Sequence, residues 1–381
     1  MPKATILLGD TRQRLADIPA GTIQTCVTSP PYWGLRDYGT ASWDGGDPAC
    51  DHQGKPMATK ANINRNCGTG NDVKNATARE FYKDICGKCG ATRIDSQIGL
   101  EQTPDEYVEQ MVAVFREVRR VLKDDGTLWL NLGDSYAASR GGTTPPAESL
   151  AGGLNGWTVD GSRTNRGRMN GYNPSRDAGR IGLKHKDLVG IPWRVAFALQ
   201  ADGWWLRQDI IWHKPNPMPE SVTDRCTKAH EYLFLLTKSA KYRFDHHAIQ
   251  EPAKWSEDAR AGKGRLTYDG KRQGEQGTGQ EAFVAIKDMR NRRSVWTIPT
   301  RPFRGAHFAV MPEALVEPCI LAGSQPGDTI LDPFTGSGTV ACVALRHDRQ
   351  FIGTELNPEY VEIARRRITD DNPMFNEVET Q

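Results

Sequence analysis

The sequence predicts an α/β fold, with one mostly parallel sheet and helices on both of its faces. Apolar, β-prone segments alternate with helical segments over most of the 381 residues, which is typical of a parallel sheet covered by crossover helices. Hydrophobic residues make up 38% and charged residues 25% of the chain, as in a globular protein with a buried core. Proline-rich and glycine-rich turns directly follow two strands, at positions where open α/β sheets bind ligands.

The spacing of the apolar residues gives the individual elements. Strands are expected at 4–8, 23–28, 127–132, 204–212, 231–237, 329–331 and 351–353. Helices are expected at 11–18, 104–122, 191–200, 311–321, 338–345 and 358–368. Pro104 and Pro312 suit the first turns of two of these helices. We expect no strand after the last helix, so the strand at 4–8 should complete that part of the sheet.

Three polar segments interrupt this pattern. The segment 43–95 carries a group of cysteines and is predicted to be an insertion into a core made of 1–42 and 96–381. The segments 139–187 and 254–304 lack periodicity and contain many Arg and Lys residues. The whole chain has a net charge of only +2, so these segments can form a local face for phosphate groups. Solvated loops without a ligand are the alternative.

The segment after the strand at 329–331 has the pattern of a cofactor-binding loop. Gly336 and Gly338 allow a sharp turn and a close ligand approach where a helix starts. Glu355 ends the next strand about 20 residues later, the offset at which an acid reaches ribose hydroxyls. The segment 336–341 also fits the dinucleotide pattern G-x-G-x-x-A, so a nicotinamide-dependent oxidoreductase is an alternative.

The N-terminal part of the chain supplies two further strand ends. Asp10 follows the strand at 4–8, and Ser29-Pro30-Pro31-Tyr32 follows the strand at 23–28. A serine hydroxyl and a proline carbonyl can accept hydrogen bonds from an amino group, and a tyrosine ring can stack on a flat base. Because open α/β sheets bind ligands at the carboxyl ends of their strands, we expect both ends of the chain to meet there.

These segments resemble the beta group of the amino-group DNA methyltransferases, which use S-adenosylmethionine. The segment 28–33 resembles their catalytic motif and the segment 332–339 their cofactor loop, in the order that is usual for this group. The resemblance covers most of the chain outside the polar segments and implies a circularly permuted Rossmann-like sheet. It implies that the target base is held by Ser29, Pro30, Pro31 and Tyr32. It implies that the cofactor is held by Asp10, Asp332, Pro333, Phe334, Gly336, Ser337, Gly338, Thr339, Glu355 and Asn357.

Ser29 of the catalytic motif bears on the choice of base. Ser29 resembles the subgroup that methylates the N4 amine of a flipped-out cytosine, whereas Asp or Asn is usual in the adenine-N6 subgroup, which is the alternative. A DNA-binding regulator that keeps the cofactor site without transferring a methyl group is a further alternative. The resemblance implies DNA as the partner, contacted by 139–187 or 254–304. Within a restriction–modification system it also implies a cognate restriction endonuclease.

The cysteines of the segment 43–95 have the spacing of metal ligands. Cys86 and Cys89 lie on either side of a tight glycine turn, and Cys50 and His52 can supply two further ligands, with Cys67 as a spare candidate. We expect a structural Zn²⁺ ion, with buried inert cysteines as the alternative.

The sequence gives no sign of a membrane or of export. No apolar run approaches the ~18–20 residues that a membrane span needs, and the N-terminus lacks the pattern of a signal peptide. We therefore expect a cytoplasmic protein that contacts no membrane and keeps its cysteines reduced. The sequence predicts no oligomeric state.

Overall fold

The computed structural model describes residues 2–34, 40–52, 85–137, 178–179, 181–253, 289–300, 310–371 and 377–381. The chain divides into two compact units, one made of Met1–Arg36 with Ile98–Gln381, and a second made of Asp37–Gln97. The predicted basic segments 139–187 and 254–304 lie largely outside the described residues, so their contact with DNA stays a prediction.

The first unit contains one large sheet and six helices among its described residues. The helices are α1 (Thr11–Arg14), α2 (Pro104–Val121), α3 (Ile191–Ala201), α4 (Glu313–Gly323), α5 (Thr339–Arg346) and α6 (Pro358–Asp371). The strands of the described ranges are β1 (Lys3–Leu8), β2 (Ile23–Thr28), β3 (Ser42–Asp44), β4 (Thr92–Ile94), β5 (Leu122–Leu132), β6 (Trp205–His213), β7 (His230–Thr237), β8 (Glu251–Pro252), β9 (Met289–Arg290), β10 (Val295–Thr297), β11 (Thr329–Asp332), β12 (Gln350–Glu355) and β13 (Glu377–Thr380).

The strand order of the large sheet confirms the permuted α/β fold. Its nine described strands follow the order β10-β6-β7-β5-β2-β11-β12-β1-β13. All described pairs of this sheet are parallel except those of β7, which runs antiparallel to both β5 and β6. Strand β1 therefore lies beside β12, and β2 lies beside β11, although these pairs come from opposite ends of the chain.

Two clusters of buried side chains cover the two faces of the sheet. Neighbouring residues of one strand point to opposite faces, and Ile6 accordingly joins one cluster while Leu7 joins the other. In β11, Ile330 and Leu331 divide in the same way. Helices α4, α5 and α6 supply the first cluster and α2 and α3 the second, so helices cover both faces as predicted.

The two largest differences from the predicted boundaries have local reasons. The helix expected at 11–18 stops at Arg14 and continues as a 3₁₀ turn over Leu15–Asp17. Ile18 precedes a proline and is extended, as residues before proline usually are. Strand β5 starts at Leu122 rather than at 127, because Leu122 already pairs with Ile23 of β2.

The prediction that no strand follows the last helix is wrong. Strand β13 pairs in parallel with β1 at the edge of the sheet. Its burial pattern has no fully buried position, so the sequence lacks the apolar pattern by which a core strand is identified. Within the described ranges, no helix combines the length and the apolar character that crossing a bilayer requires.

Candidate functional site

The two motifs from opposite ends of the chain meet at the carboxyl edge of the sheet. Strands β2 and β11 pair in parallel, so the segments that follow them leave the sheet side by side. The Thr28 hydroxyl donates a hydrogen bond of 2.6 Å to Oδ1 of Asp332, and both residues are buried. This bond joins the last residue of β2 to the first residue of the cofactor loop.

Asp332 orients the start of that loop. Its Oδ1 atom also accepts a hydrogen bond of 3.0 Å from the backbone N–H of Phe334. Burial raises the pKa of Asp332 to about 7, against the opposing effect of the hydrogen bonds from Thr28 and Phe334. The carboxyl group thus serves as a buried anchor between the two motifs.

Glu355 holds the turn of the cofactor loop from the neighbouring strand end. Its Oε2 atom accepts a hydrogen bond of 2.8 Å from the N–H of Gly336, and its Oε1 atom accepts one of 2.9 Å from the N–H of Asn357. Gly336 and Gly338 have φ angles of +51° and +77°, which glycine adopts without steric cost. Burial raises the pKa of Glu355, although these backbone hydrogen bonds favour the charged form.

A glycine of strand β12 allows the cofactor loop to pack closely against that strand. A Cβ atom added to Gly353 would lie 2.1 Å from Oγ1 of Thr335, so only glycine allows the loop to approach the strand this closely. The N–H of Thr335 donates to the carbonyl of Thr354, and the Thr354 hydroxyl donates to the carbonyl of Pro333. These contacts fix the backbone between Asp332 and the glycine turn.

Three other residues that are predicted to hold the cofactor form hydrogen bonds with groups of the protein. Arg367 of α6 donates to the hydroxyls of Ser337 and Thr339 at 3.1 and 2.8 Å. The side chain of Asn357 accepts from the N–H of Glu359 at the start of α6. Arg367 thus braces the loop, whereas the Asn357 side chain caps α6. The contact of Ser337, Thr339 and Asn357 with a cofactor stays a prediction.

Asp10 also reaches the same edge of the sheet, because β1 lies beside β12. Its carboxylate caps α1 through the N–H of Arg12 and forms an ion pair with the Arg12 guanidinium. Burial raises the pKa of Asp10, but the hydrogen bonds and charge of Arg12 outweigh it and hold that pKa below its usual value. A direct role of Asp10 in holding a cofactor stays a prediction as well.

On the base side, a polar network orients Ser29 and Tyr32. The Ser29 hydroxyl lies 3.2 Å from Oδ1 of Asn131, and the Tyr32 hydroxyl lies 3.0 Å from the same oxygen. The Asn131 amide donates to the carbonyl of Tyr232 at 3.1 Å, which turns Oδ1 toward the two hydroxyls. The Tyr32 hydroxyl also lies 2.7 Å from Oε2 of Glu231.

An ion pair closes this network. Lys214 pairs with Glu231, and both side chains are largely buried. Burial by itself would raise the pKa of Glu231, but the charge and hydrogen bond of Lys214 hold it below its usual value. Burial and the nearby Glu231 charge raise the pKa of Tyr32. Tyr32 therefore stays a neutral phenol that can donate a hydrogen bond to the Glu231 carboxylate.

The Tyr32 ring also packs against the end of β5. A Cβ atom added to Gly133 would lie 2.4 Å from the ring, so the glycine leaves the space that the ring occupies. The hydrogen bonds of the hydroxyl and this contact together define the plane of the ring.

The sequence places Lys214 and Glu231 at strand ends near the base side without giving them a firm role, and it gives no sign of Asn131. These residues come from the adjacent strands β5 and β7 and from the segment directly after β6. Because β7 is antiparallel to its neighbours, its first residues reach the edge at which β5 and β6 end. The position of polar residues at strand ends was the available signal, but their contacts depend on the reversed direction of β7.

Comparisons with known proteins give the family to which the chain is similar. A family model described as DNA methylase, covering N6 and N4 enzymes, matches residues 23–366. The type II methyltransferase M.Cfr9I of Citrobacter freundii is 40% identical over 369 residues, covering 97% of this chain and 89% of the relative. M.SmaI of Serratia marcescens is 40% identical over 363 residues, covering 95% and 90%.

Two solved structures share the fold at low sequence identity. The PvuII DNA methyltransferase, described as cytosine-N4-specific, matches with a TM-score of 0.52 and 16% identity, covering 99% of this chain and 97% of that one. A putative DNA modification methylase of Thermus thermophilus, crystallised with S-adenosyl-L-methionine, matches with a TM-score of 0.50 and 21% identity, covering 99% and 98%.

The family match spans most of the chain and includes both the Ser29 motif and the loop at 332–339. It contradicts the alternative of a nicotinamide-dependent oxidoreductase, which rested on the glycine pattern alone. The chain belongs to the N6/N4 DNA methylase family and is a DNA methyltransferase.

Proposed function

We propose that this enzyme transfers the methyl group of S-adenosylmethionine to the N4 amine of a cytosine flipped out of DNA. The hydrogen bond between Thr28 and Asp332 carries the proposal. It fixes the base-binding motif next to the loop expected to hold the cofactor, so that donor and acceptor can be aligned. Such alignment can contribute ~7–11 kcal/mol toward the barrier in favourable cases.

The cofactor side fits a nucleoside-bearing ligand. Each carboxylate oxygen of Glu355 accepts one backbone N–H and retains lone pairs that can accept ribose hydroxyls. The glycine turn at 336–338 opens the backbone at the N-terminus of α5. When bound there, S-adenosylmethionine supplies an electrophilic methyl group on its sulfonium.

On the base side, the chain has to prepare a poor nucleophile. The lone pair of an exocyclic amine is delocalised into the ring, and the nitrogen becomes more nucleophilic when its N–H groups find acceptors. The Ser29 hydroxyl can direct its proton to Oδ1 of Asn131, which leaves its own oxygen free to accept from the amine. The backbone carbonyl of Pro30 is the second acceptor.

Tyr32 then provides the surface on which the flipped base stacks. Leaving the duplex costs the base a few kcal/mol, and a ring already fixed by Glu231 and Gly133 loses little freedom when the base binds. The choice of cytosine over adenine rests on Ser29, which resembles the N4 subgroup.

The partner we propose is duplex DNA with a specific target site. The relatives M.Cfr9I and M.SmaI carry the name type II methyltransferase, and we extend this class to the present chain. On that basis a cognate restriction endonuclease would accompany the enzyme. The basic segments 139–187 and 254–304 are our candidates for target recognition.

Identification of the methylated nucleoside tests the proposal. Plasmid DNA is incubated with the enzyme and S-adenosylmethionine, digested to nucleosides and analysed by mass spectrometry. We expect N4-methyldeoxycytidine. Detection of N6-methyldeoxyadenosine instead would mean that the base is assigned wrongly, and the absence of any methylated nucleoside despite cofactor binding would favour a regulator.

The variant Ser29→Ala separates chemistry from binding. Loss of the hydroxyl should lower kcat by about 100-fold or more, as positioning losses can, and leave the Kd for S-adenosylmethionine nearly unchanged. Ser42→Ala, at an exposed serine of β3, is the control and should behave like the wild type. Equal losses in kcat and in cofactor affinity for Ser29→Ala would show that Ser29 is structural.

A further inference from the structure

The second unit, Asp37–Gln97, brings four metal-binding side chains together. They are Cys50, His52, Cys86 and Cys89, and their ligand atoms all lie within 4.8 Å of one another. None of these residues takes part in the base or cofactor sites. All four lie inside the second unit, so the cluster can be considered without reference to the catalytic unit.

The separations between the ligand atoms are those of a tetrahedral zinc site. The Sγ atoms of Cys50 and Cys86 are 3.8 Å apart, and Sγ of Cys89 is 3.6 Å from Nδ1 of His52. Zinc bonds of about 2.3 Å to sulfur and about 2.0–2.1 Å to nitrogen give tetrahedral edges of about 3.8 Å and 3.6 Å. A disulfide would instead require sulfurs about 2.05 Å apart.

Backbone N–H groups point to a sulfur in each half of the cluster. The N–H of Lys88 points to Sγ of Cys86, and the N–H of His52 points to Sγ of Cys50, both at 3.4 Å. The turn at Cys86 is closed by a 2.8 Å hydrogen bond from the N–H of Gly90 to the Cys86 carbonyl. Two sulfurs thus already accept backbone N–H groups, an arrangement compatible with metal-bound cysteines.

A two-stranded antiparallel ladder lies next to the two halves of the ligand set. Strand β3 pairs antiparallel with β4, and β3 precedes Cys50 while β4 follows Cys89. Trp43 of β3 stacks on the His52 ring, with centroids 4.4 Å apart and an angle of 9° between the planes. The stacking fixes the orientation of the imidazole toward Cys89.

The described part of this unit buries few apolar side chains. Its fully buried hydrophobic residues there are Cys86 and Ala91, while the side chains of Ile85 and Ile94 are exposed. Small units without a sufficient apolar core are usually stabilised by disulfides or metals. The cysteines of the cluster are free, so a metal rather than a disulfide would stabilise this unit.

We propose that Cys50, His52, Cys86 and Cys89 bind one structural Zn²⁺ ion that holds the second unit in its folded form. All four coordination positions would be filled by protein atoms, so no position remains for a reactive water. The ion therefore stabilises the fold of this unit and takes no part in methyl transfer.

Metal analysis of the full-length protein, purified without chelators, tests the proposal. We expect about one zinc per chain, and we expect the Co²⁺-substituted protein to show the visible absorption of tetrahedral thiolate coordination. Protein with far less than one zinc per chain and freely titratable cysteines would overturn the proposal. This measurement is independent of methyl transfer, so it can fail while the proposed reaction stands.

Cysteine variants identify the ligands. Cys50→Ser and Cys86→Ser should lose most of the zinc and become sensitive to proteolysis within 37–97, while cofactor binding persists. Cys226→Ser, at an exposed free cysteine of the first unit, and Cys67→Ser, the spare candidate, should both keep the ion. Loss of zinc in Cys67→Ser with full zinc in Cys50→Ser would contradict the assigned ligand set.

Discussion

Asp332 lies where the two motifs join, and its burial there disfavours the charged form of its carboxyl group. Only 4% of the residue is exposed, and burial raises its pKa from 3.8 to about 7. An acid with a raised pKa in the folded state contributes stability below its ordinary pKa, and this contribution is lost as the pH rises to the folded-state value. Between about pH 4 and pH 7, Asp332 is ionised in the unfolded chain but stays protonated in the folded protein. The free energy of unfolding should therefore fall progressively over this pH range.

The variant Asp332→Asn should remove this pH-dependent cost. Asparagine keeps an oxygen that can accept from Thr28 and Phe334, but it carries no charge. Without cofactor, the free energy of unfolding of the variant minus that of the wild type should become more positive up to about pH 7 and then level off. The change is about 4 kcal/mol at most, because each pKa unit is worth about 1.4 kcal/mol.

Urea unfolding at several pH values between about 5 and 8 measures this difference. Asp124→Asn is the control, since the Asp124 side chain is 99% exposed and should give a difference that hardly changes with pH. A difference for Asp332→Asn that is equally flat would show that Asp332 does not change its ionisation over this range.

The residues of the site differ in how far the sequence reveals them. Asp332, Glu355 and Ser29 stand in contiguous motifs beside strands, so local spacing is enough to find them. Asn131 and Glu231 acquire their roles only through contacts with Ser29 and Tyr32, which are distant in sequence. No local pattern encodes those contacts, because they depend on which strands become neighbours in the sheet.

At the level of elements, two glycines allow parts of the site to pack closely against the strands. Gly133 at the end of β5 makes room for the Tyr32 ring, and Gly353 within β12 makes room for Thr335 of the cofactor loop. Neither glycine has a left-handed φ angle. Alanine would therefore act through the added methyl group alone, without backbone strain.

We expect Gly133→Ala and Gly353→Ala to damage different steps. Gly133→Ala should lower kcat by about tenfold or more and spare cofactor affinity, because displacing Tyr32 by ~1 Å misaligns the base. Gly353→Ala should instead weaken cofactor binding by about tenfold or more, because the loop must move away from β12. Steady-state kinetics and calorimetric titration with S-adenosylmethionine separate the two effects.

A double variant provides the control for Gly133. In a Tyr32→Ala background the added methyl group meets no ring, so Gly133→Ala should cost little further activity. If Gly133→Ala lowers activity equally in both backgrounds, the glycine acts through something other than Tyr32.

Elements with a clear apolar pattern were predictable, and those formed by pairing alone were not. Strand β2 matches its predicted bounds, and α2 ends within one residue of its prediction. Strand β13 was not predicted, because its alternating residues are largely polar and its pairing with β1 joins opposite ends of the chain. The early start of β5 was not predicted, because Asp-Asp-Gly locally indicates a turn before the strand, whereas the pairing of Leu122 with Ile23 extends the strand through it.

For the molecule as a whole, the sheet interleaves strands from the two ends of the chain. Strand β1 lies between β12 and β13, so the first residues of the protein sit inside the half of the sheet that carries the cofactor loop. The permuted order was predictable because each motif marks its own strand end. The position of β1 within the sheet, rather than at its edge, required the structure.

This interleaving predicts that the two termini differ in importance. Deleting 377–381 removes the edge strand β13, whose backbone bonds only to β1 within the sheet. The melting temperature should then fall by only about 1–2 °C, as the loss of about 1 kcal/mol does in a protein of this length, with cofactor binding retained. Deleting 2–9 removes an interior strand that includes the fully buried Ala4 and Ile6, and it leaves β12 without its partner on one side.

We therefore expect the protein lacking 2–9 to lose its cooperative thermal transition and its affinity for S-adenosylmethionine. Differential scanning calorimetry and cofactor titration of both truncated proteins make the comparison, and each serves as the control for the other. Since β1 pairs with β12 up to Glu355, its removal frees the strand end that orients Gly336. A protein lacking 2–9 that melts cooperatively and binds cofactor would show that β11 and β12 hold the cofactor loop without the N-terminal strand.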